Sequence, residues 1–316
     1  MTAVRSKERW ALGAAALAGI QVGACIAGSR WLMREQGSAD VQALGPLSLT
    51  FLRYAIAWAT LLPLLALVGG TRASLARLTA GDAVRVALLG IVQFGLLIAL
   101  LNFGLKHVDA GLGALLFATF PLMTLAIATA VGHERFDGLL AAGVLLSIVG
   151  VGVALGVRPQ MGGAAVALGA ACVLGAALCG ALCSVLYRPL LIRHATLPLG
   201  TLAMGAAVVT LLPAAGGEGL VMQARALSPV AWAVVAAVGL SSGISYWMWL
   251  WALKHTAPTK ATTFLALSPV TAALIGMLAL GEPIGAGLVG GVLCILLGLV
   301  LTASRSISPA SAPHSP

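Results

Sequence analysis

Apolar runs of about 20 residues, the length that crosses roughly 30 Å of hydrocarbon, follow one another almost from end to end of this chain. Ten can be read, at about 11–29, 46–68, 84–104, 111–131, 138–157, 164–187, 198–215, 229–251, 262–280 and 284–303. The seventh is short and runs into Gly216-Gly217. The joins are too short to hold a soluble domain. Composition agrees: 60% of residues are hydrophobic and 9% charged, against roughly 25% charged in an ordinary soluble domain. The expected fold class is an all-α membrane protein of ten transmembrane helices.

A net charge of +9 raises the question of nucleic acid. Lys and Arg also mark the cytoplasmic loops of membrane proteins, and their distribution favours that origin; no nucleic-acid partner is expected. With the N-terminus inside, twelve basic residues fall on inner segments and five on outer ones, while Arg53 lies within a span. Both termini are therefore expected in the cytoplasm. Basic residues before the first run, and Val22-Gly23-Ala24-Cys25 within it, resemble a cleaved leader only loosely. The first run has a counterpart later in the chain and is kept as a mature helix. All five cysteines, Cys25, Cys172, Cys179, Cys183 and Cys294, fall inside spans. Their spacing suits neither disulfides nor zinc, so no metal is expected.

An internal repeat runs through the apolar sequence. Lys106-His107 is matched by Lys254-His255, Pro121 by Pro269, Glu134 by Glu282, Gly143 by Gly291 and Gly150 by Gly298, each 148 positions on. Thr60-Leu61-Leu62-Pro63 returns as Thr210-Leu211-Leu212-Pro213 at 150, and Gly13 and Gly19 correspond to Gly169 and Gly175 at 156. The drift reflects loop insertions. Each half then holds five spans, residues 11–157 and 164–303, followed by a disordered cytoplasmic tail, 304–316. Five is odd. A first half that starts inside makes the second start outside, so the repeats are expected to be inverted, with a substrate site near the midplane between them.

The segments Gly111–Glu134 and Lys260–Pro283, the latter with Ser268-Pro269 and Gly281-Glu282-Pro283, resemble the two EamA-type repeats of the drug/metabolite transporter superfamily. Phe51-Leu52-Arg53-Tyr54-Ala55 is similar to that family's second-helix pattern. His133 departs from the first repeat, where the family has a small or apolar residue. The resemblance, over about residues 11–303, implies a ten-helix bacterial inner-membrane carrier with a central cavity, exporting amino acids or other small metabolites.

Polar groups inside a bilayer are costly and often functional. None of the nine acidic residues sits at mid-span, which argues against a proton-coupled multidrug exporter using a buried mid-membrane acid. Arg53 lies about seven residues into its helix, roughly 10 Å deep at 1.5 Å per residue. It either snorkels to the outer interface or pairs with a substrate carboxylate. Gln93 and Asn102 are nine residues apart and face opposite ways on a helix. The repeat maps Gln93 onto Ser241, another polar residue, and Asn102 onto Leu250. Gln93 and Ser241, with Ser245 a turn on, are the first candidates for substrate contact; bonding between helices is the competing role. Trp247, Trp249 and Trp251 spread round a helix end, as an interfacial belt does. Tyr246 and Trp247 sit deepest and remain candidates for the cavity.

Pro121 and Pro269 fall at mid-span, where proline kinks a helix, and are candidate bending points. Glu134 and Glu282 follow helix C-terminal ends, where the helix dipole disfavours an acid; anchoring partners or a gating role would explain them. Gly239-Leu240-Ser241-Ser242-Gly243 mimics a hydrolase elbow but lies inside a span, without the strand-turn-helix context that motif needs. Glycines four apart, such as Gly19 and Gly23 or Gly287 and Gly291, are weak packing signals that leave monomer or homodimer open. Histidines lie only in loops, ends or the tail, and no nucleotide-binding sequence is present. No cofactor is expected and an intramembrane enzyme, or a non-transporting subunit, is the lesser reading. The partners expected are the lipid bilayer and a small-molecule substrate.

Overall fold

The computed structural model describes residues 2–35, 44–68, 71, 74, 77–104, 107, 116–117, 119–134, 137–155, 164–280 and 286–304. Every element among them is helical. In chain order these are α1 (Thr2–Glu35), α2 (Pro46–Leu67), α3 (Ala80–Gly104), α4 (Phe120–Ala130), α5 (Gly138–Leu155) and α6 (Ala164–Arg193). There follow α7 (Thr196–Gly217), the short α8 (Leu220–Ala226), α9 (Pro229–His255), the short α10 (Pro258–Thr263), α11 (Leu267–Leu280) and α12 (Ala286–Ser304). Six of these (α1, α2, α3, α6, α7 and α9) are long and apolar enough to cross a membrane, and shorter apolar helices occupy the fourth, fifth and tenth expected runs. The short seventh run is a full 22-residue helix, α7, because Pro213 and the paired glycines are absorbed into its last turns. Glu282, the starts of the fourth and tenth runs and the tail from 305 lie outside the described residues.

Local chemistry starts these helices. Thr79 accepts the Asp82 amide at 3.1 Å at the head of α3, and Ser228 accepts the Ala231 amide at 3.1 Å at the head of α9, satisfying donors that a helix start leaves free. Pro46, Pro229 and Pro258 occupy first-turn positions, where the missing N–H costs nothing. Pro121 and Pro269 differ from the mid-helix expectation: Pro121 stands in the first turn of α4, and Pro269 in the first turn of α11, after a 3-10 turn at Phe264–Ala266. Proline removes a backbone donor from a helix interior, and at both positions a new helix begins within two residues of the proline.

The packing exchanges between the halves. α1 packs on α9, and its repeat counterpart α6 packs on α3; α2 on α9 is matched by α7 on α3, and α1 on α11 by α6 on α4. α2 with α7, and α5 with α12, pair across the repeat. The glycines follow suit. A Cβ on Gly150 would meet the Gly291 carbonyl oxygen at 2.8 Å, and one on Gly298 would meet the Gly143 carbonyl oxygen at 2.5 Å. The 148-residue offset turns one contact into the other. Gly19 and Gly23 let α1 lie on the backbone of Phe264 and Ser268, closer than any side chain would permit. The main core, with Leu61, Val86, Leu191, Met204 and Leu250 fully buried, lies among α1, α2, α3, α6, α7 and α9. Large apolar side chains such as Leu17, Val209 and Leu297 are left exposed on the outside, where lipid tails would receive them.

Candidate functional site

Between α1, α2, α3 and α9 lies a cavity of about 120 Å³, well above the roughly 10–15 Å³ that one water requires. Its walls are mostly apolar. Phe94 is the centre of an aromatic group, with its ring centroid 4.7 Å from that of Tyr54 and 4.5 Å from that of Tyr246, the second pair edge-to-face. Phe117, Phe120 and Trp249 extend the aromatic lining.

The polar groups are few and gathered at one wall. Arg53 reaches the cavity from α2, and its Nε donates to Ser242 Oγ at 2.8 Å. Gln21 Nε2 donates to Ser242 Oγ at 3.3 Å and to Ser241 Oγ at 3.1 Å. Ser242 Oγ in turn donates to the Val238 carbonyl at 2.6 Å, so its hydroxyl is fully used. Among the described residues no carboxylate pairs with Arg53, although its Cζ lies 5.2 Å from the Tyr54 ring centroid. The guanidinium therefore spends one N–H on a neutral hydroxyl and faces the cavity with its charge unmatched by any described acid. Gln93 of α3 also lines the cavity.

Of the six residues expected to contact substrate, Arg53, Gln93, Ser245 and Tyr246 line this cavity. Ser241 stands behind the wall, accepting from Gln21 and donating to the Val238 carbonyl at 3.1 Å. Trp247 faces away and its indole N–H donates to Thr196 Oγ1 at 3.1 Å. Trp249, expected in an interfacial belt, is 7% exposed and lines the cavity instead. Two residues from Trp247 is about 200° round a helix, which places one outside and the other in. Asn102 is away from the cavity and donates to Thr50 Oγ1 at 3.2 Å.

The repeat pointed one residue short on α9, at Ser241 and not Ser242. The reason is local. Ile91–Leu96 of α3 forms a π-helical turn, whereas α9 is α-helical throughout Pro229–His255. The wider turn rotates Gln93 and Phe94 relative to their counterparts. Such turns recur at functional sites, and nothing in the local composition announces this one. Gln21 and Ser242 were legible only as polar residues inside apolar runs.

A second polar group lies at the end where α4 stops and α10 begins. Glu134 is 3% exposed, and its Oε1 accepts the Thr259 amide at 3.1 Å. Lys260, 1% exposed, reaches Glu8 Oε1 of α1 at 3.1 Å. Burial holds the Glu134 carboxyl above the usual glutamate range, against the opposing pull of the Thr259 amide and hydroxyl, Arg188 and Lys260; burial likewise lowers His133. Elsewhere Glu218, at the end of α7, accepts the Leu47 and Ser48 amides at 3.0 and 2.9 Å and so caps α2. Each acid ties its own half to a helix of the other.

The sequence matches the EamA-like transporter family over residues 10–156 and again over 167–304. The chain belongs to this family. A protein of Streptantibioticus cattleyicolor named as a probable terminal-alkyne amino-acid exporter is 32% identical over 232 residues, 72% of this chain and 75% of that protein. An uncharacterized transporter of Clostridium kluyveri is 23% identical over 85% of this chain and 86% of its own. A solved crystal structure superposes with a TM-score of 0.73 at 20% identity, covering 91% of this chain and 97% of the other, which shows the fold. This EamA-like chain is a multi-pass membrane protein of a transporter family.

Proposed function

We propose that this EamA-like protein is a secondary-active exporter of small carboxylate-bearing metabolites, amino acids or related compounds, working by alternating access in a bacterial inner membrane. Arg53 carries the reading: a guanidinium at an apolar, aromatic cavity with no described acid beside it. A cation within a membrane span and without a counter-ion is costly, and a carboxylate on the cargo would supply one. Gln93, Ser245 and Tyr246 orient that cargo, and the aromatic faces take its apolar part. The relative's printed name, an amino-acid exporter, supports this class.

The exchange of packing partners and of the Gly150–Gly291 and Gly298–Gly143 contacts supports two inverted five-helix halves, 11–157 and 164–303, and the twelve-to-five distribution of basic residues supports both termini in the cytoplasm. The helix starts around Pro121 and Pro269 are the bending points, and Glu134 holds α4 to α10 where the halves meet. The test is counterflow in proteoliposomes with a panel of apolar amino acids, their carboxylate analogues and their amines. Saturable uptake of carboxylates that Arg53→Gln abolishes is expected. Preferential uptake of the amines, or uptake indifferent to Arg53→Gln in a folded protein, would overturn the reading.

A further inference from the structure

Seven buried side-chain polar atoms lack a hydrogen-bond partner among the described residues, and five of them fall in two short segments that meet. They are Thr129 Oγ1, His133 Nδ1 and Glu134 Oε2 at and just past the end of α4, Thr256 Oγ1 at the end of α9, and Thr259 Oγ1 in the first turn of α10. α4 packs on α10, and the Glu134–Thr259 bond joins the segments. A buried polar atom left unpaired costs about 1–3 kcal/mol, so five together mark a place built for something beyond packing.

The donor set decides what. Glu134 uses Oε1 on the Thr259 amide, the Thr259 hydroxyl also acts on this carboxyl, and Oε2 has no hydrogen-bond partner of normal geometry among the described residues. Arg188 of α6 and Lys260 of α10 both act on this carboxyl, His133 adjoins it in the chain, and Glu8 of α1 answers Lys260. A metal cation would meet two positive side chains. A proton also loads against those cations, but it leaves a neutral carboxylic acid and no ion that needs further oxygen ligands.

We propose that Glu134 is a proton-binding site of the transport cycle, loaded at its free oxygen Oε2 and tying α4 to α10 only while unloaded. The step forms one O–H bond, with the proton drawn from water and returned to it. As a carboxylate, Glu134 holds the Thr259 amide and neutralises the cations facing it. As an acid it is a weaker acceptor, and the start of α10 is freed. The raised position of this carboxyl against the ordinary glutamate range suits loading nearer neutrality. The proposal rests on the alternating-access reading, in which α4 and α10 belong to halves that part; its test requires no cargo.

The full-length protein in lipid nanodiscs is titrated from about pH 5 to about pH 9 by infrared difference spectroscopy. Hydrogen exchange at the Thr259 amide is followed in the same samples, corrected for intrinsic pH dependence. The expected result is a protonated-carboxyl band that Glu134→Gln removes, with Thr259 exchange about tenfold faster on the acid side. In Glu134→Gln that exchange is fast at every pH. Should this variant fold poorly, Arg188→Gln reads the same site, because loss of a facing cation moves the midpoint to higher pH. A Glu134 carboxylate ionised throughout, or a titration that leaves Thr259 exchange unchanged, overturns the proposal. So does a midpoint unmoved in Arg188→Gln, or sodium reproducing the acid-side change at fixed pH. Loss of all cargo flux with these results intact would instead count against the exporter reading alone.

Discussion

The cavity and the α4–α10 junction are both polar places in an apolar molecule, and they spend their polar groups in opposite ways. At the cavity one cation, two amides and a few hydroxyls stand against an aromatic lining, and Arg53 meets a neutral serine. At the junction, cation and acid come in numbers: buried Lys260 with the partly exposed Glu8, and buried Glu134 with the Thr259 amide. The first leaves charge for a guest, while the second closes most of its charge on itself and leaves one carboxylate oxygen unpaired. Substitutions at the cavity should therefore change binding more than folding, and substitutions at the junction the reverse.

α1 serves both regions, with Gln21 at the cavity and Glu8 at the junction, so the largest expected effect strikes there. Gly23→Leu would drive a side chain into the backbone of Ser268, where neither helix can give. Overpacking of this kind costs about 1–3 kcal/mol or more, and the yield of monodisperse protein after detergent extraction should collapse. Arg53→Gln comes next. It should weaken a carboxylate ligand by about 1.5–3 kcal/mol, the value of a hydrogen bond to a charged group, in a binding titration, while the melting temperature scarcely moves. A large drop in melting temperature would break the comparison, since Arg53 would then be structural.

Lys260→Met should act the other way. It strips the partly exposed Glu8 of its partner, costing about 1–2 kcal/mol after discount for that exposure, and lowers the melting temperature without altering ligand affinity at saturation of the folded fraction. Gln93→Leu should weaken binding by about 0.5–1.5 kcal/mol, a neutral hydrogen bond, with stability unchanged. The smallest effect is a pH dependence. Glu134 is held above its unfolded value of 4.5 by burial, so the folded state binds more protons there and its stability contribution is present below that value. The contribution is lost as pH rises toward the raised folded value. Melting temperatures of wild type relative to Glu134→Gln should fall across this window, and a rise would contradict the burial argument.

Much of the cavity's polar lining could be read in advance, because polar side chains inside apolar runs are rare enough to count. Arg53, Gln93, Ser245 and Tyr246 were reachable that way. Ser241 and Trp247 were not separable from their neighbours Ser242 and Trp249, because facing depends on helix phase and the π turn of α3 breaks the phase that the repeat assumes. The depth of the acids was not legible. Glu134 and Asp82 lie at helix ends, where solvent is the default, yet they are 3% and 7% exposed. Other helices cover them, and no sequence interval records that cover.

What the sequence by itself determined is the class and its doubling. Runs of apolar residues long enough for lipid, and one offset joining Gly150 to Gly298 and Pro121 to Pro269, are covalent facts that need no fold to be counted. Only the tertiary structure decided that Gly150 lies on Gly291, that Arg53 opens onto a cavity unmatched by any described acid, and that Glu134 of one half holds Thr259 of the other. Those pairings join residues more than a hundred positions apart. Which of them meet is set by how helices pack, a matter of shape across the bundle that periodicity along one helix cannot encode.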